Sequence, residues 1–228
     1  MLAVEHLSVR FEGTVALRDL SLTAAPGERL GLVGPNGAGK TTLLDAISGF
    51  ARPSTGQVRL DAMRLTGLPP DAVARAGVGR AFQTPRLFTR LSVAANVRAG
   101  RALDPGRWLA AVGLEGRRDD LAGALTPAEA RRLELARALA AGPRLLLLDE
   151  PCGGLTPAET DAMAALVARA GTPDRVTLLV DHKLAVVTRL CDRVVVLHLG
   201  EKVFDGPASA LRDDPRVLEA YLGRARAR

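Results

Sequence analysis

The chain opens with short runs in which apolar and polar residues alternate: Leu2 to Phe11, Val15 to Leu17 and Ser21 to Ala24, with a Glu12-Gly13 turn after the first. A Pro26-Gly27 turn then leads into the apolar run Arg29 to Val33. Period-two alternation bounded by turn residues predicts antiparallel strands, here feeding a strand buried on both faces. Between Leu43 and Gly49 the spacing turns helical, Arg52-Pro53-Ser54-Thr55-Gly56 reads as a turn, and Gln57 to Leu60 as another strand. From Pro69 to Leu125 the pattern is mainly helical, with segments at Pro70 to Arg75, Val93 to Ala99 and Trp108 to Val112, broken at Gly77, Pro85 and Pro105-Gly106. This stretch is expected to form a helical lobe inserted into the fold. Beyond it, helices at Pro127 to Ala141, Pro157 to Ala170 and Lys183 to Leu190 alternate with apolar strands at Arg144 to Leu148, Val176 to Val180 and Arg193 to Leu199. Strands separated by helices imply parallel crossovers and a sheet covered on both faces.

Composition narrows this picture. A chain of 228 residues with 47% hydrophobic content can bury one good core without disulfide or metal staples, so one globular unit is expected. Apolar runs such as Leu145 to Leu148 and Val194 to Leu197 are strand-length, and none approaches the roughly 20 residues that span a bilayer. The start, Met1-Leu-Ala-Val-Glu-His, carries an acid at once and lacks a basic-then-apolar pattern, so no secretory signal is expected. Cys152 and Cys191 lie far apart without a CxxC or histidine-rich neighbourhood, which predicts two reduced thiols. The net charge of +6 and pI of about 10.3 raise nucleic acid as a partner. The arginines, however, are scattered, lysine is confined to Lys40, Lys183 and Lys202, and aromatics are 3% of the chain, too few for a base-stacking face. No nucleic-acid partner is expected; a basic surface facing an anionic membrane is compatible.

The chemistry begins at Gly34-Pro35-Asn36-Gly37-Ala38-Gly39-Lys40-Thr41-Thr42, which follows an apolar strand and opens a helix. That is the context that gives a G-x-x-x-x-G-K-[ST] pattern its meaning. Glycines let backbone amides turn inward toward phosphates, and the helix N-terminus adds a favourable field. Lys40 offers a compact positive charge to the β and γ phosphates, and Thr41 a hydroxyl to Mg²⁺. The run Leu145-Leu-Leu-Leu148-Asp149-Glu150 closes a buried strand with two acids, placing both at the carboxyl edge of the sheet, where ligands of such folds bind. Asp149 can order the Mg²⁺ shell, and Glu150 can polarise a water for in-line attack on the γ phosphate.

Taken in order and spacing, GPNGAGKTT, Gln83, LLLLDEP and Asp181-His182 resemble the ATP-binding-cassette (ABC) ATPases over essentially the whole chain. The resemblance implies a P-loop NTPase of ABC ATPase type: a RecA-like α/β core with an N-terminal antiparallel β subdomain and an inserted α-helical subdomain. A single cassette is expected over 1–228, with roughly 1–82 and 143–228 as core and roughly 84–142 as the helical part. It implies ATP and Mg²⁺ as cofactors, with Phe11 stacking on adenine, Gln83 reaching Mg²⁺ and the attacking water, and His182 contacting the γ phosphate. More narrowly, Gly77-Val-Gly-Arg-Ala-Phe82-Gln83-Thr-Pro85-Arg86-Leu-Phe88, Leu91-Ser-Val93 with Asn96-Val97, and Glu219-Ala-Tyr221-Leu-Gly223 look like the branched-chain amino acid importer ATPases. Urea and amide importers are close relatives in that pattern, and an ATPase of lipopolysaccharide export a less close one.

One motif departs. Where the family carries a Leu-Ser-Gly-Gly-Gln-like signature, this chain has Leu125-Thr126-Pro127-Ala128-Glu129, followed by the well-matched Arg131 to Leu139. Thr126, Pro127 and Glu129 still make a good helix start, as N-cap, first-turn proline and reciprocal acid. Pro127 removes a backbone donor, Ala128 adds a methyl, and Glu129 adds negative charge near a γ phosphate. In the family the signature of one subunit completes its partner's ATP site, so the expectation is an asymmetric heterodimer with a second ABC ATPase subunit, a homodimer being the alternative. The site built on Lys40, Asp149, Glu150 and His182 would be the hydrolytic one. Integral membrane permease subunits, a substrate-binding protein acting through them, and a peripheral position on the cytoplasmic face of the membrane follow from the same resemblance. The alternative readings are a regulatory cassette with little turnover and an ATPase of lipid or lipopolysaccharide export. Lys183 and Thr156 also differ from common family residues.

Overall fold

The alternating N-terminal segment pairs as two long antiparallel strands, β1 (Leu2–Phe11) and β2 (Thr14–Ala24). The structure is a computed structural model describing residues 1–100, 102–211 and 214–222. The two runs read separately in the sequence, Val15 to Leu17 and Ser21 to Ala24, are one strand with irregular register. His6 and Asp19 take positive φ there, and the amides involved are satisfied by hydroxyls: His6 N–H donates to Ser21 Oγ and Asp19 N–H to Ser8 Oγ. A bulge shifts the strand without ending it, which periodicity alone reads as a break.

The chain continues through β3 (Arg29–Val33), α1 (Lys40–Ile47), β4 (Thr55–Leu60), β5 (Met63–Arg64), α2 (Pro70–Arg75) and β6 (Val78–Ala81). It then runs through α3 (Val93–Ala99), α4 (Gly106–Val112), α5 (Pro127–Ala140), β7 (Leu145–Asp149) and α6 (Pro157–Ala170). The last described elements are β8 (Val176–Val180), α7 (Leu184–Leu190), β9 (Arg193–His198), β10 (Glu201–Pro207) and α8 (Pro215–Leu222). A four-stranded antiparallel sheet has the order β2-β1-β4-β5, and a six-stranded sheet the order β10-β9-β3-β8-β7-β6, parallel throughout except for β10.

The larger sheet is a partition between two cores. Leu145 and Leu147 of β7, Leu178 and Val180 of β8, and Leu30 and Leu32 of β3 face the core shared with α1 and the antiparallel sheet. Leu146, Leu148 and Leu179 face the opposite core, lined by α3 to α7. A strand buried on both faces needs a continuous apolar run, which is why β7 is four leucines before its acids.

The helical stretch expected over 69–125 is interrupted: Val78–Ala81 is a strand on the edge of the larger sheet, parallel to β7. Gly79 is the reason the strand can lie there, since a Cβ on it would sit 2.9 Å from the Ala138 carbonyl oxygen and 3.0 Å from Pro143 Cγ. A four-residue strand containing glycine and arginine carries too little alternation to be read from sequence. Strand β10 was likewise not anticipated. Helices α3, α4 and α5 share one continuous core with the sheet face beside them. Among the described residues no helix is long and apolar enough to cross a membrane. Gly223, the last residue of the C-terminal pattern, lies outside the described residues.

Candidate functional site

The loop Gly34 to Gly39 joins β3 to α1 and lies against Leu197 of β9 and Ala16-Leu17 of β2. Two glycines make that approach feasible. Gly34 has φ 147° and a Cβ there would meet the Leu197 carbonyl oxygen at 2.1 Å; Gly39 has φ 101° and would meet Ala16 O at 2.7 Å. Lys40, 8% exposed, opens α1 and folds its ammonium back, donating to the carbonyls of Gly34 (2.7 Å) and Pro35 (2.8 Å). Burial pulls its pKa below the ordinary lysine value, partly opposed by the charges of Glu150 and Asp149. A cavity of about 360 Å³ opens here, lined by Ala16, Asn36, Gly37, Gly39, Lys40, Thr41, Thr42, Gln83 and Glu150.

Three side chains from distant segments meet at Glu150. Gln83 Nε2 donates to Glu150 Oε2 at 3.0 Å, and His182 Nδ1 lies 3.6 Å from the same oxygen. Arg131, on the first turns of α5, donates to the Glu150 carbonyl at 3.0 Å. Glu150 takes φ 48°, a left-handed conformation that a non-glycine residue adopts only where surrounding contacts hold it. The holding contacts are that arginine and the Glu150 N–H donated to Val180 O at 2.8 Å. The carboxylate therefore hangs over the cavity from the end of β7 with an amide and an imidazole beside it. That arrangement can orient a water and share its proton.

Asp149, 3% exposed, lies on the α1 side of β7, where Arg80 of β6 donates to its Oδ2 at 3.2 Å. The same guanidinium donates to Asp45 Oδ1 (2.6 Å) and Ser48 Oγ (2.7 Å) of α1 and stacks 4.5 Å from the Phe82 ring centre. Burial raises the Asp149 carboxyl above the usual range while Arg80 pulls it back. Arg80 thus ties the helix after the phosphate-binding loop, the β7 acid and the strand leading to Gln83 into one buried knot. Sequence reading missed it; the available signal was a single charge inside the short run Val78 to Ala81. Glu134 was missed too. It is 1% exposed on α5 and accepts the backbone N–H groups of Arg86 (2.9 Å) and Phe82 (3.2 Å), bracketing Gln83.

Other sequence candidates stand apart from the cavity. Phe11 is half-exposed on the β1–β2 hairpin and is not among the cavity's lining residues. Pro35 and Ala38 belong to the loop without lining the cavity. Thr126, Pro127, Ala128 and Glu129 start α5, also outside it. There Thr126 Oγ1 accepts the Glu129 N–H, and Glu129 Oε2 accepts the Thr126 N–H at 2.9 Å. Glu129 Oε1 takes Arg117 Nη1 at 2.9 Å, so the charge expected to face an anion is turned back and neutralised within the chain.

The oxygen donors near the loop, the Thr41 hydroxyl, the Gln83 amide and the Asp149 carboxylate, are the hard ligands Mg²⁺ prefers. Among the described residues no cluster of three or more His, Cys, Asp or Glu side chains could cage a metal.

A family profile described as ABC transporter matches residues 17–153. The high-affinity branched-chain amino acid transport ATP-binding protein BraF of Pseudomonas aeruginosa is 36% identical over 251 residues, spanning 99% of this chain and 98% of that protein. LivG of Escherichia coli K12, described in the same words, is 35% identical over 251 residues with the same coverage. The lipopolysaccharide export system ATP-binding protein LptB of Acidithiobacillus ferridurans is 35% identical over 233 residues, covering 98% of this chain and 97% of that protein. Among solved structures, MJ1267 in its ADP conformation, an ATP-binding cassette of an ABC transporter, superposes with a TM-score of 0.89 at 25% identity over 98% of each chain. With a phosphate-binding loop facing an acid, a glutamine and a histidine, and with relatives matched over nearly its whole length, this chain belongs to the ABC transporter family as an ATP-binding, ATP-hydrolysing subunit.

Proposed function

We propose that the chain powers an importer of branched-chain amino acids or related small polar or amide solutes, with Glu150 as the group that activates water. The observation that carries the catalytic part is the convergence of Gln83 and His182 on Glu150 Oε2 at the mouth of the Lys40 cavity. Lys40, released from the Gly34 and Pro35 carbonyls, would pair with the β and γ phosphates, and the loop amides of Gly37 to Thr42 would hold their oxygens. Glu150 would accept the proton of the attacking water. His182 would contact the γ phosphate, Gln83 would orient the water, and Phe11 would stack on the base. Thr41 and Asp149, with Gln83 beside them, would hold Mg²⁺, whose bound charge offsets that of the phosphates. The cargo assignment leans on the full-length likeness to BraF and LivG, both described as branched-chain amino acid transport proteins.

The start of α5 supports an asymmetric pair. Thr126 N–H and Glu129 N–H are used within the capping box, Pro127 has no N–H, and the Ala130 N–H is taken by Thr126 O. Only the Ala128 amide of that first turn remains to meet a partner's phosphate. A second cassette with an intact signature would then complete this chain's site, while the partner's own site is the weak one. Exposed Phe88 and Leu91, with the cavity of about 390 Å³ between Ala74, Arg86, Phe88 and Gly100, suit docking of permease helices near Gln83 and the helical part at 84–142. A peripheral position on the cytoplasmic face of the membrane, and indirect service of a substrate-binding protein, go with that docking.

The test is phosphate release by the assembled transporter carrying Glu150→Gln. Loss of at least about 100-fold in kcat is expected for removal of a general base. Retention of most turnover would place the working site on the partner.

A further inference from the structure

Lys183 follows His182 and caps α7, and its side chain does not reach the phosphate cavity. Its half-buried ammonium instead crosses to the loop that follows Glu150. Nζ donates to the carbonyl oxygens of Cys152 (3.1 Å) and Leu155 (3.4 Å) and to Thr160 Oγ1 on α6 (3.1 Å). An ammonium has three protons, so all three are used. The Lys183 backbone N–H donates to Asp181 Oδ1 at 2.9 Å, which fixes the turn on which His182 sits.

We propose that Lys183 is a positioning residue that latches the loop Cys152–Leu155 to the turn carrying His182, and so sets how His182 stands against Glu150. Its other anchors are the Cys152 side chain, buried in the core, and the hydrogen bonds within the loop. Gly153 and Gly154 lie at its centre, Gly154 at φ 71°, and the hydrogen bonds closing it are Gly153 N–H to Glu150 O (3.0 Å) and Leu155 N–H to Cys152 O (3.5 Å). Cys152 and Leu155 bracket those glycines, so an ammonium holding both carbonyls fixes the loop at each end. His182 is 57% exposed and touches Glu150 Oε2 only at 3.6 Å, too long to fix its own place. A charge-assisted bond from the adjacent residue therefore adds a side-chain restraint on the distance between imidazole and carboxylate to the backbone bond from Glu150 N–H to Val180 O (2.8 Å). Movement of the Cys152–Leu155 loop, which lies at the surface around Gly154, is passed to His182 through one side chain.

This rests on the roles proposed above for Glu150 and His182, and two readouts keep the questions apart. The first is amide hydrogen exchange on the purified chain. Lys183→Met, which keeps the apolar stem and removes the donors, is expected to speed exchange at the bonded amides of Gly153 and Leu155 by about tenfold, the factor expected for losing a charge-assisted bond. Unchanged exchange overturns the latch, whatever Glu150 does. The second is hydrolysis by the assembled transporter. Lys183→Met should lower kcat by about tenfold with KM for ATP within about twofold, and should change kcat by less than about twofold when His182→Ala is already present. Equal losses in both backgrounds, or a raised KM with kcat kept, would make Lys183 a merely structural lysine. If Lys183→Met does not fold, Thr160→Val removes one acceptor and should show the same pattern at smaller size; full exchange protection in that variant would also sink the proposal.

Discussion

Replacing Arg80 by methionine isolates the buried knot behind the phosphate-binding loop. The arginine side chain is 6% exposed and makes three charge-assisted contacts, to Asp45, Ser48 and Asp149. Among the described residues it is the only cation within ion-pairing distance of Asp149, which is itself 3% exposed. Methionine fills much the same volume, so the change leaves a buried carboxylate uncompensated without opening a large cavity. Removing one member of such a pair costs about 3–5 kcal/mol. For a chain of this size each kcal/mol moves Tm by about 2–4 °C, so a fall of roughly 6–20 °C is expected at neutral pH by calorimetry. The double variant Arg80→Met with Asp149→Asn supplies the control: with the stranded charge gone, it should be about 1–3 kcal/mol more stable than Arg80→Met alone. A loss below about 1 kcal/mol for Arg80→Met, or a double variant whose loss equals the sum of the singles, would refute the argument that the ion pair neutralises Asp149.

Two further outcomes follow from burial. Desolvation raises the Glu134 carboxyl above its ordinary value of 4.5, against the pull of the Arg86 and Phe82 amides and Arg137. A raised carboxyl means the folded state holds the proton more tightly than the unfolded chain, so stability attached to this group falls as pH rises from about 4.5 through the raised value. Denaturant titrations should accordingly show wild type losing ground to Glu134→Gln over that window and a constant difference above it; a difference that stays flat or moves the other way contradicts the assignment. Burial also pushes Cys152 up to about 11 and Cys191 to about 12. A thiol reagent at neutral pH should label both only as fast as the chain opens, and prompt labelling of either thiol in the native protein would be incompatible with that.

Much of this protein is local and therefore legible in its sequence. The phosphate-binding loop needs only a strand, three glycines at fixed spacing and a helix start. The acids at the end of β7 announce themselves because a strand buried on both faces must be uniformly apolar before them. The same holds for the α5 start, where Thr126 and Glu129 interact within one turn. Bulges at His6 and Asp19, and the four-residue strand β6, were not legible, since each depends on how a neighbour approaches and not on periodicity. The partners that tune the site were hidden for the same reason. Arg80 finds Asp149 across 69 positions, Glu134 finds Arg86 across 48, and Lys183 finds Cys152 across 31. Sequence specifies groups whose chemistry is read within a few residues; a charge that must be neutralised out of water acquires its partner only when the sheet and helices close around it, and that choice belongs to the tertiary structure.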